Sequence, residues 1–204
     1  MRAFSFVISA GCENHGLARL ADDGNAMTVL KKFHIALVGL PGSGKSTIGR
    51  YLAKRWSMPF VDVDVAIEEH IGCTIRDFFA REGEARFRDV EQQVLAALLA
   101  RPEKTVVATG GGAVLKAENR QELAGHAQVV YLSASPHEIA KRLQRDTQRP
   151  LLQVDNPLQR LLDLHAIRDP RYQEVADFVV AGSGLSAAQV AQRVAMQIEL
   201  GQHS

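Results

Sequence analysis

The chain of 204 residues has few cysteines and no long apolar run. Its two cysteines, Cys12 and Cys73, are too few and too far apart for a disulfide framework or a four-ligand zinc site. We expect both to be free thiols in a reducing compartment, and we therefore predict a cytoplasmic protein. No stretch approaches the roughly 20 consecutive apolar residues that a membrane-spanning helix requires, so we expect no membrane association.

An excess of charge of one sign is also missing. Lys and Arg total 24 against 23 Asp and Glu, which leaves a formal net charge of +1. This balance excludes a broad basic surface for nucleic acid, so any anion must be held by a local arrangement of groups. The hydrophobic share of 46% and the charged share of 23% are typical of a globular protein, and the length suits one domain.

The first thirty residues carry no sustained hydrophobic period. Residues 1–12 have one basic residue and a short apolar stretch before a cysteine, but that stretch is too short for an export signal. We predict that residues 1–30 form a flexible N-terminal extension and that residues 31–204 form the folded domain. Met27 lies just before the first predicted strand, and we hypothesise that it is the native start.

A glycine-rich loop follows the first predicted strand. Residues 34–38 form an uninterrupted apolar run, which is typical of a strand buried on both faces of a parallel sheet. Residues 39–47 read G-L-P-G-S-G-K-S-T and match G-x-x-x-x-G-K-[ST], with apolar residues at helical spacing after them. Such a loop curls backbone N–H groups around phosphate oxygens at a helix N-terminus. The sequence therefore predicts binding of a nucleoside triphosphate with Mg²⁺.

The residue types in this loop suit phosphates and a metal ion. Lys45 supplies a mobile positive charge for the β- and γ-phosphates, and Ser46 can place its hydroxyl on Mg²⁺. We expect the phosphates of ATP to be held by Gly42, Ser43, Gly44, Lys45, Ser46 and Thr47.

Alternating strand and helix patterns downstream predict a single α/β domain. Further strands are expected at residues 60–64, 105–109, 128–132 and 178–180, and helices at residues 89–99, 135–145, 157–167 and 186–200. This alternation indicates a parallel sheet with helices on both faces. We predict a three-layer P-loop NTPase fold with a central parallel sheet of about five strands.

Polar or glycine residues end two of the predicted strands, where open α/β sheets bind ligands. Asp62 and Asp64 alternate at the end of the second strand and can share a face, one toward the metal and one toward a substrate hydroxyl. Gly110, Gly111 and Gly112 follow the third strand and permit close backbone approach to a ligand, as well as a positive φ. A helix cap and a tight turn are the structural alternatives.

Three arginines are candidates for binding anions. Arg88 lies in F-R-D-V-E at a predicted helix start, where its planar guanidinium suits a carboxylate and Glu91 can orient it. Arg149 belongs to a polar, proline-flanked segment near residues 145–157, which we predict to be a mobile lid over the transferring phosphoryl group. Arg168 begins a further segment, R-D-P-R-Y.

In this order the motifs resemble the shikimate kinase family. That family combines a P-loop, an Asp-x-Asp strand end, a Phe-Arg-x-x-Glu segment, a Gly-Gly-Gly turn, an Arg-Pro-Leu-Leu lid and an Arg-x-Pro-x-Tyr segment. The resemblance covers nearly all of residues 33–182. Two departures are present. Arg171 replaces the Leu that commonly precedes the tyrosine, and residues 181–185 do not reproduce the segment expected to border adenine, so adenine contacts stay unassigned.

The resemblance implies transfer of the γ-phosphoryl group of ATP to the 3-hydroxyl of shikimate, a step of aromatic amino acid biosynthesis. Shikimate is a carboxylated triol. The family likeness implies that Arg88 and Arg168 hold its carboxylate, whereas Asp64 and the backbone of residues 110–112 contact its hydroxyls. Asp64 is also the candidate base.

The same resemblance implies how the phosphoryl donor is held. Asp62 would join Ser46 at Mg²⁺, and Lys45 and Arg149 would neutralise the charge that spreads over the transferring group.

Two other classes of function stay open, and we expect a monomer because no long apolar face is spare. Another small-molecule kinase, for gluconate or a nucleoside monophosphate, would share the loop and the lid. A kinase-like sensor domain would bind a ligand and regulate transcription without turnover. Asp64, Arg88 and Arg168 together favour a carboxylated polyol, and the first thirty residues are too short and unpatterned for a helix-turn-helix.

Overall fold

The computed structural model of the protein describes residues 32–143 and 156–201. The predicted N-terminal extension and most of the predicted lid, including Arg149, lie outside the described residues.

The central layer is a parallel sheet. In the described part of the chain it contains β1 (His34–Val38), β2 (Phe60–Asp62), β3 (Val106–Ala108), β4 (Ala127–Ser133) and β5 (Phe178–Ala181). The strand order is β2-β3-β1-β4-β5, and every neighbouring pair is parallel. All five residues of β1 are buried, as expected for a central strand that is covered on both faces.

Helices cover the sheet on both sides. They are α1 (Lys45–Arg55), α2 (Val63–Ile71), α3 (Ile75–Leu99), α4 (Ala117–His126), α5 (Pro136–Leu143), α6 (Pro157–Val175) and α7 (Ala187–Gly201), with a 3₁₀ turn at Ala113–Leu115. On one face, Ile35 and Leu37 of β1 pack with α1 and α7. On the other face, Ala36 and Val38 pack with α2, α3, α4 and α6. The predicted three-layer fold is therefore confirmed.

The second strand is shorter than predicted. β2 ends at Asp62, and α2 begins at Val63. Asp62 is the N-cap of α2, because its carboxylate accepts a hydrogen bond from the backbone N–H of Asp64 at 3.2 Å. The prediction that both carboxylates lie on one strand face was therefore wrong, since Asp64 belongs to the first turn of a helix.

Helix α3 begins well before the predicted start at Asp89. Thr74 caps it, and the Thr74 hydroxyl accepts a hydrogen bond from the N–H of Asp77 at 3.1 Å. The helix is interrupted at Gly83, which has φ 81° and ψ 173°. That backbone conformation is open essentially to glycine alone. Arg88 is thus inside a helix rather than at its start.

Helix α6 also extends beyond its predicted end at residue 167 and reaches Val175. Pro170 lies inside it, although proline lacks the N–H needed to continue the helical hydrogen bonds. The asparagine at its N-cap, Asn156, accepts a hydrogen bond from the N–H of Gln159 at 3.0 Å. The extension places Arg168 and Tyr172 one helical turn apart on the same helix.

None of the helices in the described ranges has the length and hydropathy that crossing a lipid bilayer would require.

Candidate active site

Three of the predicted site segments, all within the described ranges, meet at the carboxyl edge of the sheet. The glycine-rich loop follows β1, the aspartate pair follows β2 and the glycine triplet follows β3. Because β3 lies between β1 and β2, these three segments are neighbours in space. Ligands of open α/β sheets bind at this edge.

The glycine-rich loop has the backbone conformation that an anion-binding cradle needs. Gly42 and Gly44 have φ values of 82° and 97°, a left-handed conformation that favours glycine. Gly44 is also the N-cap of α1 and provides no side-chain cap. Because the first N–H groups of a helix have no intrahelical acceptor, the start of α1 can receive phosphate oxygens.

Two side chains of the loop are buried and fit a phosphate group. The Lys45 ammonium donates hydrogen bonds to the carbonyls of Gly39 and Leu40, both at 2.9 Å. The Ser43 hydroxyl is buried and has no hydrogen-bond partner within the described ranges. A buried hydroxyl without a partner is unfavourable, and a phosphate oxygen in the cradle would accept its hydrogen bond. Thr47, in contrast, is exposed on α1.

The predicted metal ligands lie side by side. Ser46 donates a hydrogen bond from Oγ to Oδ2 of Asp62 at 2.6 Å, which brings together two of the oxygen ligands that Mg²⁺ prefers. No group of three or more His, Cys, Asp or Glu residues that could hold a metal ion occurs among residues 32–143 and 156–201. This pair therefore suits an ion that takes its remaining ligands from phosphate and water, as Mg²⁺ commonly does.

Asp64 faces the glycine triplet. A Cβ atom built on Gly110 would lie 2.6 Å from Oδ1 of Asp64 and 2.9 Å from Oε1 of Glu91. Asp64 is exposed at the surface of the protein, but partial loss of hydration among the surrounding groups raises the pKa of its carboxyl group, and the negative charge of Asp62 adds to this effect. The nearby cation of Lys45 opposes the rise.

Arg88 is held by two carboxylates. Its Nη1 donates to Oε2 of Glu91 at 2.7 Å, and its Nη2 and Nε donate to Oε1 of Glu84 at 2.9 Å and 3.3 Å. Glu91 is almost completely buried, and burial raises the pKa of its carboxyl group while Arg88 lowers it. The predicted orientation of Arg88 by Glu91 is thus present as a hydrogen-bonded ion pair.

Arg168 approaches the same space from α6. Burial lowers the pKa of its guanidinium, the positive charge of Arg88 lowers it further, and Tyr172 acts in the opposite direction. Arg168 also lowers the pKa of the Glu91 carboxyl group, which Arg88 binds, so both guanidinium groups act on the same region. Two neighbouring guanidinium groups form a favourable site for a carboxylate.

The glycine triplet is required for close contact and not for unusual backbone angles. None of the residues 110–112 has a positive φ, so the turn does not use the freedom that glycine gives to adopt one. A Cβ atom at the three positions would collide, in turn, with the carboxylate of Asp64, the ring of Pro41 and the guanidinium of Arg88. The triplet therefore lets the backbone after β3 lie directly against the loop and the two charged side chains.

Tyr172 is a site residue to which the sequence assigned no role. Its hydroxyl donates a hydrogen bond to the carbonyl of Gly111. Its ring stacks on Tyr131 with centroids 5.0 Å apart, and the Tyr131 hydroxyl donates to Oδ1 of Asp169 at 2.6 Å. The available signal was the spacing of four residues from Arg168, which puts both side chains on one face of a helix.

The two departures from the family pattern have defined positions. Arg171 donates a hydrogen bond to the carbonyl of Ile167 in its own helix at 3.1 Å. In the segment after β5, Ser183 donates to Oε2 of Glu138 at 2.8 Å, and Arg142 donates to the carbonyl of Gly182 at 3.4 Å. These contacts fasten the segment to α5, and they assign no residue to adenine.

A P-loop with a hydroxyl–carboxylate pair beside it, next to a glycine turn flanked by the carboxylate of Asp64 and the guanidinium of Arg88, defines a P-loop kinase that acts on a small molecule. Comparisons with known proteins narrow this class. The family model of shikimate kinase matches residues 41–199. The chain belongs to the shikimate kinase family.

Individual relatives agree with this assignment. The chain is 52% identical over 168 residues to a shikimate kinase of Paracidovorax citrulli, a match that covers 81% of this chain and 92% of the relative. It is 48% identical over 167 residues to a shikimate kinase of Ralstonia nicotianae, with coverage of 82% and 87%. A structure of the Acinetobacter baumannii shikimate kinase in complex with shikimate matches with a TM-score of 0.77 and 43% identity, covering 85% of this chain and 96% of that one. The chain is therefore an enzyme of shikimate phosphorylation in aromatic biosynthesis.

Proposed function

We propose that this chain transfers the γ-phosphoryl group of ATP to the 3-hydroxyl of shikimate and releases ADP and shikimate 3-phosphate. The observation that carries the proposal is that the Asp64 carboxylate and the Arg88 guanidinium both lie against the glycine triplet beside the P-loop, with Arg168 in electrostatic reach of Arg88. Two guanidinium groups suit a carboxylate, and a carboxylate next to them suits a hydroxyl. A carboxylated polyol thus finds complementary groups within reach of the phosphoryl donor.

The donor side of the site is the loop before α1. The backbone N–H groups of residues 42–47 and the Ser43 hydroxyl would bind phosphate oxygens, and the Lys45 ammonium would exchange its two carbonyl acceptors for them. Ser46 and Asp62 would hold Mg²⁺, which supplies neutralisation of phosphate charge when it is bound.

The acceptor side is the region around the glycine triplet, where Asp64 and Arg88 lie. Arg88 and Arg168 would bind the shikimate carboxylate, and the backbone of residues 110–112 would lie against the ring. Asp64 would accept a hydrogen bond from the reacting hydroxyl and fix its direction. Its raised pKa makes it a stronger proton acceptor than an ordinary aspartate, although a loose phosphoryl-transfer transition state demands little of a base before bond formation.

Arg149 would complete the charge neutralisation from the lid. This role rests on the family motif, since Arg149 lies outside the described residues. Arg149→Ala should lower kcat more than it weakens shikimate binding, because neutralisation of a transferring phosphoryl group acts mainly in the transition state.

The cellular setting is a further part of the proposal. The scarcity of cysteine supports a reducing cytoplasm, and the lack of a long spare apolar face in the sequence supports a monomer.

An assay of ADP release tests the proposed reaction. Purified protein with MgATP should release ADP when shikimate is added and not when gluconate or AMP is added. If ADP were released with gluconate or AMP but not with shikimate, the acceptor would be that compound instead. Inactivity with all three acceptors would favour the sensor alternative. Lys45→Met should abolish the activity, whereas Lys54→Met, the same change on the exposed face of α1, should retain it and so exclude a contaminating kinase.

A further inference from the structure

Arg88 binds two glutamates at once, and the two differ in how firmly they are held. The Glu91 side chain is 1% exposed, whereas that of Glu84 is 63% exposed. Arg88 itself is 14% exposed. The hydrogen bond to Glu91 uses Nη1, and those to Glu84 use Nε and Nη2. The guanidinium is therefore clamped by one buried carboxylate and one carboxylate at the surface.

This pairing conflicts with the binding of a further carboxylate. Arg88 with its two carboxylates has a net charge of −1, so this group by itself offers a third carboxylate no net attraction, and only Arg168 offsets its charge. The Nε–Nη2 edge, which Glu84 occupies, is also one of the forks that a carboxylate binds through two parallel hydrogen bonds. One of the two glutamates must release Arg88 for a substrate carboxylate to bind well.

Glu84 is the one that can leave. Glu91 would have to remain charged in the interior without its arginine, which is strongly unfavourable. Glu84 would move into water, where a carboxylate is well hydrated. Glu84 directly follows the helix break at Gly83. A Cβ atom built on Gly83 would meet nothing within 4 Å, so there is open space beside Gly83.

We propose that Glu84 is an internal counter-carboxylate that occupies Arg88 in the empty enzyme and is displaced by the carboxylate of the substrate. This inference rests on the proposed function, because it takes Arg88 as a receptor for that group. Glu84 thereby sets the affinity for carboxylated substrates. A cyclic polyol without a carboxylate has no group to replace Glu84, so Glu84 does not influence its binding.

Calorimetric binding to the full chain at low ionic strength tests this proposal. The affinities for shikimate and for a carboxylate-free triol with the same ring are compared in the wild type, in Glu84→Gln and in Glu82→Gln. The affinity for the triol is measured by competition, from the shikimate that it displaces. Glu82 is a matched control because it lies on the other side of Gly83, is exposed and pairs with Arg81 instead. Both variants change the net charge equally.

Glu84→Gln should bind shikimate about two- to fivefold more tightly than the wild type, which is the range expected when an exposed ion pair no longer competes. Its affinity for the triol should be unchanged, and Glu82→Gln should match the wild type for both ligands. Equal effects of the two variants, tightening for both ligands, or no tightening in Glu84→Gln would overturn the role of Glu84. Absence of shikimate binding to the wild type would overturn the proposed function and this inference together.

Discussion

The Tyr172 hydroxyl donates a hydrogen bond to the carbonyl of Gly111 and so fastens α6 to the middle of the glycine turn. Tyr172 is fully buried, and it lies one helical turn after Arg168. The desolvation of its hydroxyl raises the pKa of Tyr172 to about 12, so the group remains a donor across the physiological range. A single side chain therefore links the position of the turn to that of Arg168, the arginine proposed to bind the substrate carboxylate.

Tyr172→Phe should raise the KM for shikimate severalfold and leave the KM for ATP unchanged. The ring stack on Tyr131 survives this change, but the Gly111 carbonyl loses its donor, which should lower the free energy of unfolding by about 1–3 kcal/mol. Steady-state kinetics and urea unfolding check both effects. Tyr131→Phe is the control, since it removes the hydroxyl of the other ring in the stack, which donates to Asp169 and not to the glycine turn. A loss of stability without a change in the KM for shikimate would show that Tyr172 has only a structural role.

Asp64→Asn should stabilise the protein at neutral pH while it removes most of the turnover. Because the folded protein raises the pKa of Asp64, the charged form is less favourable in the folded than in the unfolded state. The penalty is fully present above the folded-state pKa and disappears as the pH falls toward the ordinary value of 3.8. The stability gained by the variant over the wild type should therefore shrink as the pH falls.

The kinetic part of this prediction has a clear sign. Loss of an oriented proton acceptor should lower kcat by about 10²-fold or more, and ATP binding should stay nearly intact. In the wild type, kcat/KM should fall as the pH decreases through the raised pKa of Asp64. Asp163→Asn, on the exposed side of α6, should leave both kcat and the pH profile unchanged. Wild-type kcat in Asp64→Asn would contradict the positioning role.

Arg88→Lys should raise the KM for shikimate by about tenfold, since hydrogen bonds to charged groups contribute about 1.5–3 kcal/mol and an ammonium cannot reproduce the guanidinium fork. The KM for ATP should not change. Arg86→Lys, an exposed position of the same helix, provides the comparison. Unaltered shikimate kinetics in Arg88→Lys would assign the substrate carboxylate to another group.

Gly83→Ala should lower the free energy of unfolding by about 1–3 kcal/mol, the usual penalty for a side chain in such a backbone conformation. Gly125→Ala is the matched change within α4, where there is free space and no positive φ. It should raise stability by about 0.5 kcal/mol, because alanine favours a helix over glycine. Urea unfolding measures both, and a rise in both variants would show that the break in α3 is absent in solution.

The sheet was predictable because most of its strands are short apolar runs, and these runs show no helical spacing that would favour a helix instead. The prediction was poorest for α3, whose first half is rich in charged residues such as Arg76 and Glu82 and so hides its apolar face. It also ended α6 too early, before Pro170. The Asp62–Asp64 pair was read as a strand end because a period of two does not reveal that the first aspartate caps a helix.

The site was predictable where one short motif contains all the chemistry. The P-loop residues and Asp62 lie where the pattern puts them. The clamp of Arg88 by Glu84 and the contact of Tyr172 with Gly111 were not predictable. The first depends on a break in α3 that a charged stretch conceals, and the second joins residues 61 positions apart that only the packing of α6 brings together.

The two faces of the sheet carry different halves of the proposed reaction. The start of α1, which packs with α7, holds the groups for the phosphoryl donor, whereas α2, α3 and α6 on the opposite face carry the groups for the acceptor. The halves meet only over the ends of the central strands. The proposed acceptor groups are consequently separate in the fold from those proposed for the donor. Substitutions in α2, α3 and α6 should therefore change the choice of alcohol with less effect on triphosphate binding than substitutions in the loop before α1.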